Sequence, residues 1–197
     1  IKARSLTGSQ VAIITSADPG KAKILGVKAQ RLQEELSKGY LPIIAGFQGV
    51  SIDKEITTLG RGGSDLSAVA LGIALNAKEV VLIKDVPGMY KDFDLQDLGI
   101  VPSINHEAAI ALSYHGSGLI QSRALLLSLK YNLPIRICSI ERKNEMATLI
   151  ETNRDVNESP SIDAIQERNN FGIGEVKTND LWQVVGGKKL YLGNGEH

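Results

Sequence analysis

The chain has 197 residues, of which 43% are hydrophobic and 22% are charged, so it can build a sizeable core in one or two domains and is not wholly disordered. Its 22 Lys and Arg residues balance 22 Asp and Glu residues, which gives a net charge of +0. This charge excludes a global basic field that would attract nucleic acid or acidic membranes, but it does not exclude a local basic patch. The 20 glycines cluster in a few segments instead of being scattered.

The first part of the chain alternates short apolar runs with a helical pattern. Residues 11–15 are predicted to form a strand, and residues 29–38 a helix, because Leu32 and Leu36 stand four positions apart on one face. Residues 41–47 (LPIIAGF) form a continuous apolar run, which predicts a strand buried on both faces.

The same alternation continues beyond the first 60 residues. Ser64 can cap a helix that runs to about residue 76, and residues 80–83 predict another buried strand. Two helices and a strand are then predicted at residues 105–114, 122–131 and 135–139. This order predicts an α/β fold, a three-layer αβα sandwich with a mostly parallel sheet whose ligands lie at the carboxyl ends of the strands.

The character of the sequence changes near residue 151. Residues 151–161 (ETNRDVNESPS) are polar and contain proline, which is typical of a linker. Residues 180–185 and 188–192 flank two glycines and predict a hairpin. We therefore divide the chain into a domain of residues 1–150 and a linker with a short tail, residues 151–197, for which a regulatory remnant is one interpretation.

The cellular compartment is indicated by cysteine usage and by hydropathy. Cys138 is the only cysteine, which excludes an internal disulfide and favours a reducing compartment. It lies in an apolar run, where a buried core residue is expected more often than a nucleophile. No apolar run approaches the roughly 20 residues of a membrane span, and the start does not resemble a secretion signal. We expect a soluble, cytoplasmic protein without a membrane partner.

The most prominent glycine cluster is Gly60-Arg61-Gly62-Gly63-Ser64-Asp65. Its glycines allow the backbone to approach a ligand, the helix that follows offers its positive end, and Arg61 supplies a bidentate fork for an anion. A glycine-rich turn with a capping serine explains the pattern equally well. The P-loop and dinucleotide fingerprints are absent, so any phosphate site here uses another architecture.

Two further segments carry candidate site residues. Residues 84–90 (KDVPGMY) follow a predicted strand and place Asp85 and Tyr90 where a nucleotide could bind, although Pro87-Gly88 also suits an ordinary type II turn. Residues 45–49 (AGFQG) end another strand with glycines that a small ligand could approach. The histidines lack metal-ligand spacing, so no metal cage built by the protein alone is predicted.

These segments together are similar to aspartate kinases, members of the amino acid kinase fold. The resemblance covers about residues 3–150 and is most specific in the pair PIIAGFQG and EITTLGRGGSD, residues 42–49 and 55–65. The other matching segments are residues 6–13, 20–24 and 84–90.

The resemblance implies transfer of the ATP γ-phosphate to the side-chain carboxylate of L-aspartate, which gives 4-phospho-L-aspartate on the route to lysine, threonine and methionine. It implies a homodimer, no nucleic-acid partner, and Mg²⁺ held mainly by the ATP phosphates, a role compatible with Asp85 or Asp65. It implies catalytic roles for Arg61 and Asp65, and an aspartate and γ-phosphate site at Arg61, Gly62, Gly63 and Ser64. It implies an ATP site at Lys84, Asp85, Gly88 and Tyr90.

Departures from the family pattern keep two alternatives open. The family's opening KFGG strand does not occur, so we expect the first third of the kinase domain to be missing and this chain alone to be inactive. Residues 91–96 replace a stretch that typically ends in Asp-Pro-Arg, and Gly118 replaces a lysine close to the ATP phosphates. A non-catalytic regulatory homologue, or an enzyme of the same fold with another acid substrate, is therefore the alternative.

Overall fold

The computed structural model divides the chain into two compact units, Ile1–Val80 and Val81–His197. It describes residues 1–18, 20–90, 99–114, 119–141, 147–152, 182–185 and 188–191. The strands of the first unit are β1 (Lys2–Leu6), β2 (Ile13–Thr15), β3 (Ile24–Val27), β4 (Tyr40–Ile44), β5 (Gln48–Ser51) and β6 (Ile56–Thr58), and its helices are α1 (Gln30–Ser37) and α2 (Gly63–Ala74).

The first unit contains two sheets. Strands β1 and β4 pair in parallel, and the second sheet has the order β3-β2-β5-β6. Within the second sheet β2 and β5 are parallel, whereas β2–β3 and β5–β6 are antiparallel. The antiparallel pairs are consecutive along the chain and need only short connections, while the chain passes through α1 between β2 and β5.

The core of the first unit combines apolar side chains of β1, β2 and α1. Leu6, Val11, Ile13 and Leu32 are buried together, and Leu71 of α2 and its C-cap residue Leu75 pack against them. Burying each such side chain stabilises the fold by about 1.5–3 kcal/mol.

The buried face of α1 differs from the predicted stripe. Leu32 and Glu35 are the buried residues of α1, whereas Leu36 is exposed. The Glu35 carboxylate is tolerated there because the guanidinium of Arg4 lies 2.9 Å from its Oε2. An ion pair between the buried Glu35 and the partly exposed Arg4 therefore takes the place of an apolar contact.

The prediction that residues 41–47 and 80–83 form strands buried on both faces is wrong. Leu41 and Ile43 are 51% and 55% exposed, and Val81 and Ile83 are exposed as well. Alternate side chains of a strand point to opposite faces. In β4 only the face of Tyr40, Pro42 and Ile44 is partly buried, and the predicted run stops at Ile44.

The second unit contains a four-stranded sheet and a hairpin. The strands are β7 (Val80–Lys84), β8 (Ser103–Asn105), β9 (Ile135–Ser139), β10 (Thr148–Glu151), β11 (Trp182–Val185) and β12 (Lys188–Tyr191), and the helices are α3 (His106–Tyr114) and α4 (Ser122–Tyr131). The sheet order is β7-β9-β10-β8, with β10 parallel to β8 and antiparallel to β9. The bounds of α4 and β9 match the prediction, and α3 begins one residue later.

The region after residue 147 is partly described. Strand β10 ends at Glu151, so the predicted linker starts too early, and its residues 153–161 lie outside the described residues. Strands β11 and β12 pair antiparallel, which confirms the predicted hairpin. Among the described residues no helix is long and apolar enough to cross a membrane.

Candidate functional site

The glycine loop before α2 adopts backbone conformations that favour glycine. Gly60 and Gly62 have φ values of +78° and +69°, in the left-handed region. Gly62 is the N-cap of α2, and the helix begins at Gly63, so the prediction of Ser64 as the cap is wrong. Since the N-cap residue has no side chain, it cannot cap the first-turn amides. The Gly63 amide donates to the Gly60 carbonyl at 3.0 Å, whereas no side chain caps the helix, and the amide of Ser64 suits an anion.

Residues 45–49 pack against the start of α2. A Cβ atom on Gly63 would lie 2.9 Å from Cδ2 of Phe47 and 2.8 Å from Cβ of Leu59, so only glycine permits this approach. The Phe47 backbone has φ +69°, an unusual value for an aromatic residue and a frequent sign of a functional site. The structure thus brings together two of the glycine segments that were singled out in the sequence.

Ser67 holds the two segments together and was missed in the sequence. Its hydroxyl accepts a hydrogen bond from the Phe47 amide at 3.0 Å and donates one to the Gly63 carbonyl at 2.8 Å. Ser67 is buried, and its position four residues after Gly63, on the same helix face, is the only local signal that could have indicated this role.

The charged groups of this loop lie at the open end of α2. Arg61 and Ser64 are exposed, whereas Asp65 is half-buried in the first helical turn. A carboxylate at that position interacts favourably with the helix dipole. The exposed guanidinium and the uncapped amides together can bind a carboxylate or a phosphate.

The second candidate segment, residues 84–90, begins at the carboxyl end of β7. Lys84 is the last residue of that strand and is half-buried, and Asp85 is exposed. Gly88 is not among the described glycines with positive φ, so Pro87-Gly88 does not form a type II turn. Gly88 is instead buried in close contact with Ile100 and Thr148.

The end of this segment is held by backbone contacts. Tyr90, which is half-buried, forms an antiparallel bridge with Ile100. The Val101 amide donates to the Met89 carbonyl at 2.8 Å. The segment is therefore a fixed turn, with Asp85 and Lys84 at one end and Tyr90 at the other.

The described residues contain no group of three or more His, Cys, Asp or Glu side chains that could hold a metal ion. Asp85 offers a single exposed carboxylate, which suits a Mg²⁺ ion that keeps water and phosphate oxygens as its other ligands. Cys138 is buried, as expected of a core residue. His115, Gly118 and residues 91–96 lie outside the described residues.

The sequence profile of the Amino acid kinase family matches residues 1–139, and the chain belongs to this family. The predicted α/β class and amino acid kinase fold are confirmed, with parallel and antiparallel strand pairs mixed in its sheets. The predicted resemblance to aspartate kinases is confirmed as well.

Individual relatives show the extent of this similarity. The chain is 40% identical over 145 residues to the aspartokinase of Mycolicibacterium smegmatis, covering 70% of this chain and 34% of that protein. It is 35% identical over 171 residues to the aspartate kinase of Pseudomonas putida, covering 84% and 41%. It is also similar to E. coli aspartokinase III, solved in complex with aspartate and ADP, with a TM-score of 0.71, 27% identity, and coverage of 79% and 36%. The chain thus spans well under half the length of these proteins.

Proposed function

We propose that this chain is part of an aspartate kinase, which transfers the γ-phosphate of ATP to the side-chain carboxylate of L-aspartate and releases ADP and 4-phospho-L-aspartate. The observation that carries the proposal is the glycine loop at the start of α2, where an exposed Arg61 stands beside uncapped helix amides. Similarity to an aspartokinase solved with aspartate and ADP supports the choice of substrates.

The first unit would bind L-aspartate in this proposal. The Arg61 guanidinium would pair with a substrate carboxylate, and the amides of Gly62 and Ser64 would stabilise negative charge on the transferring phosphoryl group. The Gly63 amide donates to the Gly60 carbonyl at 3.0 Å, so Gly63 would shape the loop. The acceptor carboxylate is ionised at neutral pH, so its oxygen can attack phosphorus without a general base. Asp65 would orient an ammonium group of the substrate or of a lysine.

The second unit would bind ATP in this proposal. Lys84 would neutralise phosphate charge, Gly88 would shape the turn, and Tyr90 would pack beside the base or sugar. Asp85 would supply one carboxylate to Mg²⁺, which reduces the phosphate charge when it is bound with ATP. The reaction then depends on positioning and on charge neutralisation, which are the main requirements of phosphoryl transfer.

The remaining parts of the proposal concern the whole protein. We place residues 1–150 in its kinase domain and residues 151–197 in a linker and tail. We further propose that the whole protein is a cytoplasmic homodimer that takes part in amino acid biosynthesis. The 197-residue chain by itself is proposed to be inactive, because its aligned segment covers only 34% of the M. smegmatis relative.

Two measurements test the proposed activity. The full coding sequence that contains these residues is expressed, and ADP formation is followed with Mg-ATP and L-aspartate, using L-glutamate and no acceptor as controls. Formation of ADP that depends on aspartate is expected. Turnover with another acid but not with aspartate would reassign the substrate, and turnover by the 197-residue chain alone would refute its proposed inactivity.

A second candidate is a non-catalytic homologue that binds aspartate or nucleotide without turnover. It is favoured by Gly118 and by the altered residues 91–96, because loss of a cation near the phosphates weakens transition-state stabilisation. Binding of both ligands by the full-length protein, without formation of ADP, is the result that this candidate requires.

A further inference from the structure

Thr148 lies outside the segment that the family profile matches, yet its side chain holds the proposed ATP loop. It is fully buried at the start of β10. Its hydroxyl accepts a hydrogen bond from the Met89 amide at 2.8 Å and donates one to the Val101 carbonyl at 2.7 Å. One side chain therefore links the loop of residues 84–90 to the segment that leads into β8.

The absence of a side chain at Gly88 also leaves room for the side chain of Thr148. A Cβ atom on Gly88 would lie 2.7 Å from Oγ1 of Thr148 and 2.8 Å from Cγ2 of Ile100, closer than real Cβ contacts. The backbone of the loop can therefore reach the threonine hydroxyl only because residue 88 is glycine. This contact gives Gly88 a structural role besides any contact with nucleotide.

The hydroxyl of Thr148 is itself held in a defined position. Thr148 is opposite Ile137 in the antiparallel pair of β10 and β9, and the next residue, Leu149, is opposite Ser103 in the parallel pair with β8. The Leu149 amide also donates to the Pro102 carbonyl at 2.9 Å. Strand pairing on both sides therefore fixes the group that receives the Met89 amide.

Met89 also lies beside buried residues of α3, α4 and β10. It lines a small apolar gap formed by α3, α4 and β10, together with Ala109, Ser113, Ile120, Leu125 and Ile150. The loop is thus attached at its centre, between the strand-end residue Lys84 and the bridge at Tyr90.

We infer that Thr148 is a positioning residue for nucleotide binding, which sets the backbone of residues 84–90 through the Met89 amide without touching the ligand. This inference rests on the proposed function, since that assigns the loop to ATP. Without the hydroxyl, the part-buried Met89 amide and Val101 carbonyl lose this partner, and the loop relaxes to pair them elsewhere. The geometry that binds nucleotide is then populated less, and affinity falls in proportion.

The experiment compares Thr148→Val, which keeps the shape and removes the hydroxyl, with Thr148→Ser, which keeps the hydroxyl. Thr152→Val is the control, because it removes the hydroxyl of a threonine only four positions further along the chain. The hydroxyl of Thr152 contacts His106 and not the loop. Binding of Mg-ADP to the full-length protein that contains these residues is measured by calorimetry, and exchange of the Met89 amide by NMR. For Thr148→Val we expect about tenfold weaker binding and faster Met89 exchange. The Mg-ADP affinities of Thr148→Ser and Thr152→Val should lie within about twofold of the wild-type affinity.

Each outcome either supports or contradicts the positioning role of Thr148. Wild-type affinity in Thr148→Val, or equal losses in Thr148→Val and Thr152→Val, overturns the positioning role and leaves the proposed function standing. If the full-length wild-type protein does not bind Mg-ADP, the assignment of the loop to ATP fails and the inference fails with it. Should Thr148→Val not fold, Thr148→Ala provides the hydroxyl-free variant and is judged by the same two measurements.

Discussion

The hydroxyl groups of Thr15 and Thr57 lie 2.5 Å apart, although β5 separates the strands that carry them. Gly49 of β5 makes this contact possible. It is opposite Thr57 in the β5–β6 pair, and a Cβ atom there would lie 2.5 Å from Cγ2 of Thr15. Both threonines are buried, and Thr57 is followed within three residues by the glycine loop. The pair therefore supports the strand from which the proposed aspartate site extends.

Replacing Thr57 alone should lower the free energy of unfolding more than replacing both threonines. Thr57→Val leaves the buried Thr15 hydroxyl without this partner, and we expect the free energy of unfolding to fall by about 1–3 kcal/mol. The double variant Thr15→Val/Thr57→Val removes both polar groups and should recover part of that loss. Urea unfolding of the single and double variants measures the coupling. Additive losses would show that the two hydroxyl groups do not stabilise each other.

Gly49→Ala tests whether a side chain at this position of β5 would collide with Thr15 and Ile13 of β2. The new methyl group would meet Cγ2 of Thr15 and the Ile13 carbonyl, which lies 2.6 Å from the position of the Cβ atom, so we expect a destabilisation of about 1–3 kcal/mol. Gly26→Ala is the matched control, since no atom lies within 4 Å of its Cβ position. Thermal unfolding compares the two variants. Equal melting temperatures would contradict the tight contact at Gly49.

Arg61→Ala in the full-length protein should impair the use of aspartate far more than the binding of ATP. Losing a charge-paired guanidinium typically costs about 2–5 kcal/mol, so kcat/KM for aspartate should fall by about 30-fold or more. Arg61→Lys keeps the charge without the planar fork and should recover only part of the activity. Steady-state kinetics with each substrate varied in turn give both constants. Unchanged aspartate kinetics would remove Arg61 from the site.

The stability of the fold should decrease in acid because of His106. This side chain is fully buried, its Nε2 lies 2.7 Å from the Ser128 hydroxyl, and its Nδ1 lies 3.2 Å from that of Thr152. Burial lowers the pKa of His106 below its ordinary value of 6.5, against the opposing effect of hydrogen bonding near Glu151 and of the Glu107 and Glu151 charges. The neutral imidazole is therefore the native form.

The sign of the pH effect follows from this lowered pKa. The unfolded chain takes up a proton near pH 6.5, whereas the folded chain does so only at lower pH, so stability is fully present above 6.5 and is lost as the pH falls below it. Denaturant unfolding between pH 5 and 8 should show this loss in the wild type and a flatter profile in His106→Gln. Identical slopes in the two proteins would assign the acid sensitivity to other groups.

Prediction from the sequence succeeded where local patterns are sufficient. The bounds of α4 and β9 follow from side-chain periodicity, which is a property of neighbouring residues. The short strands β1, β3, β5, β6, β8 and β10 were missed. They contain three to five residues, and none shows a continuous apolar run as long as the one predicted at residues 41–47. The burial of both faces of β4 was mispredicted, because apolar composition does not reveal which face is covered.

The sequence by itself determined the family and indicated two candidate loops, residues 60–65 and 84–90. The first of these follows from glycine at the left-handed positions Gly60 and Gly62, which is a local backbone requirement. Only the tertiary structure decided which side chains hold these loops in place. Thr15 meets Thr57 across 42 positions, and the Met89 amide meets the hydroxyl of Thr148 across 59. Such contacts arise from strand order and close packing, which bring distant residues together without leaving a pattern in either local segment.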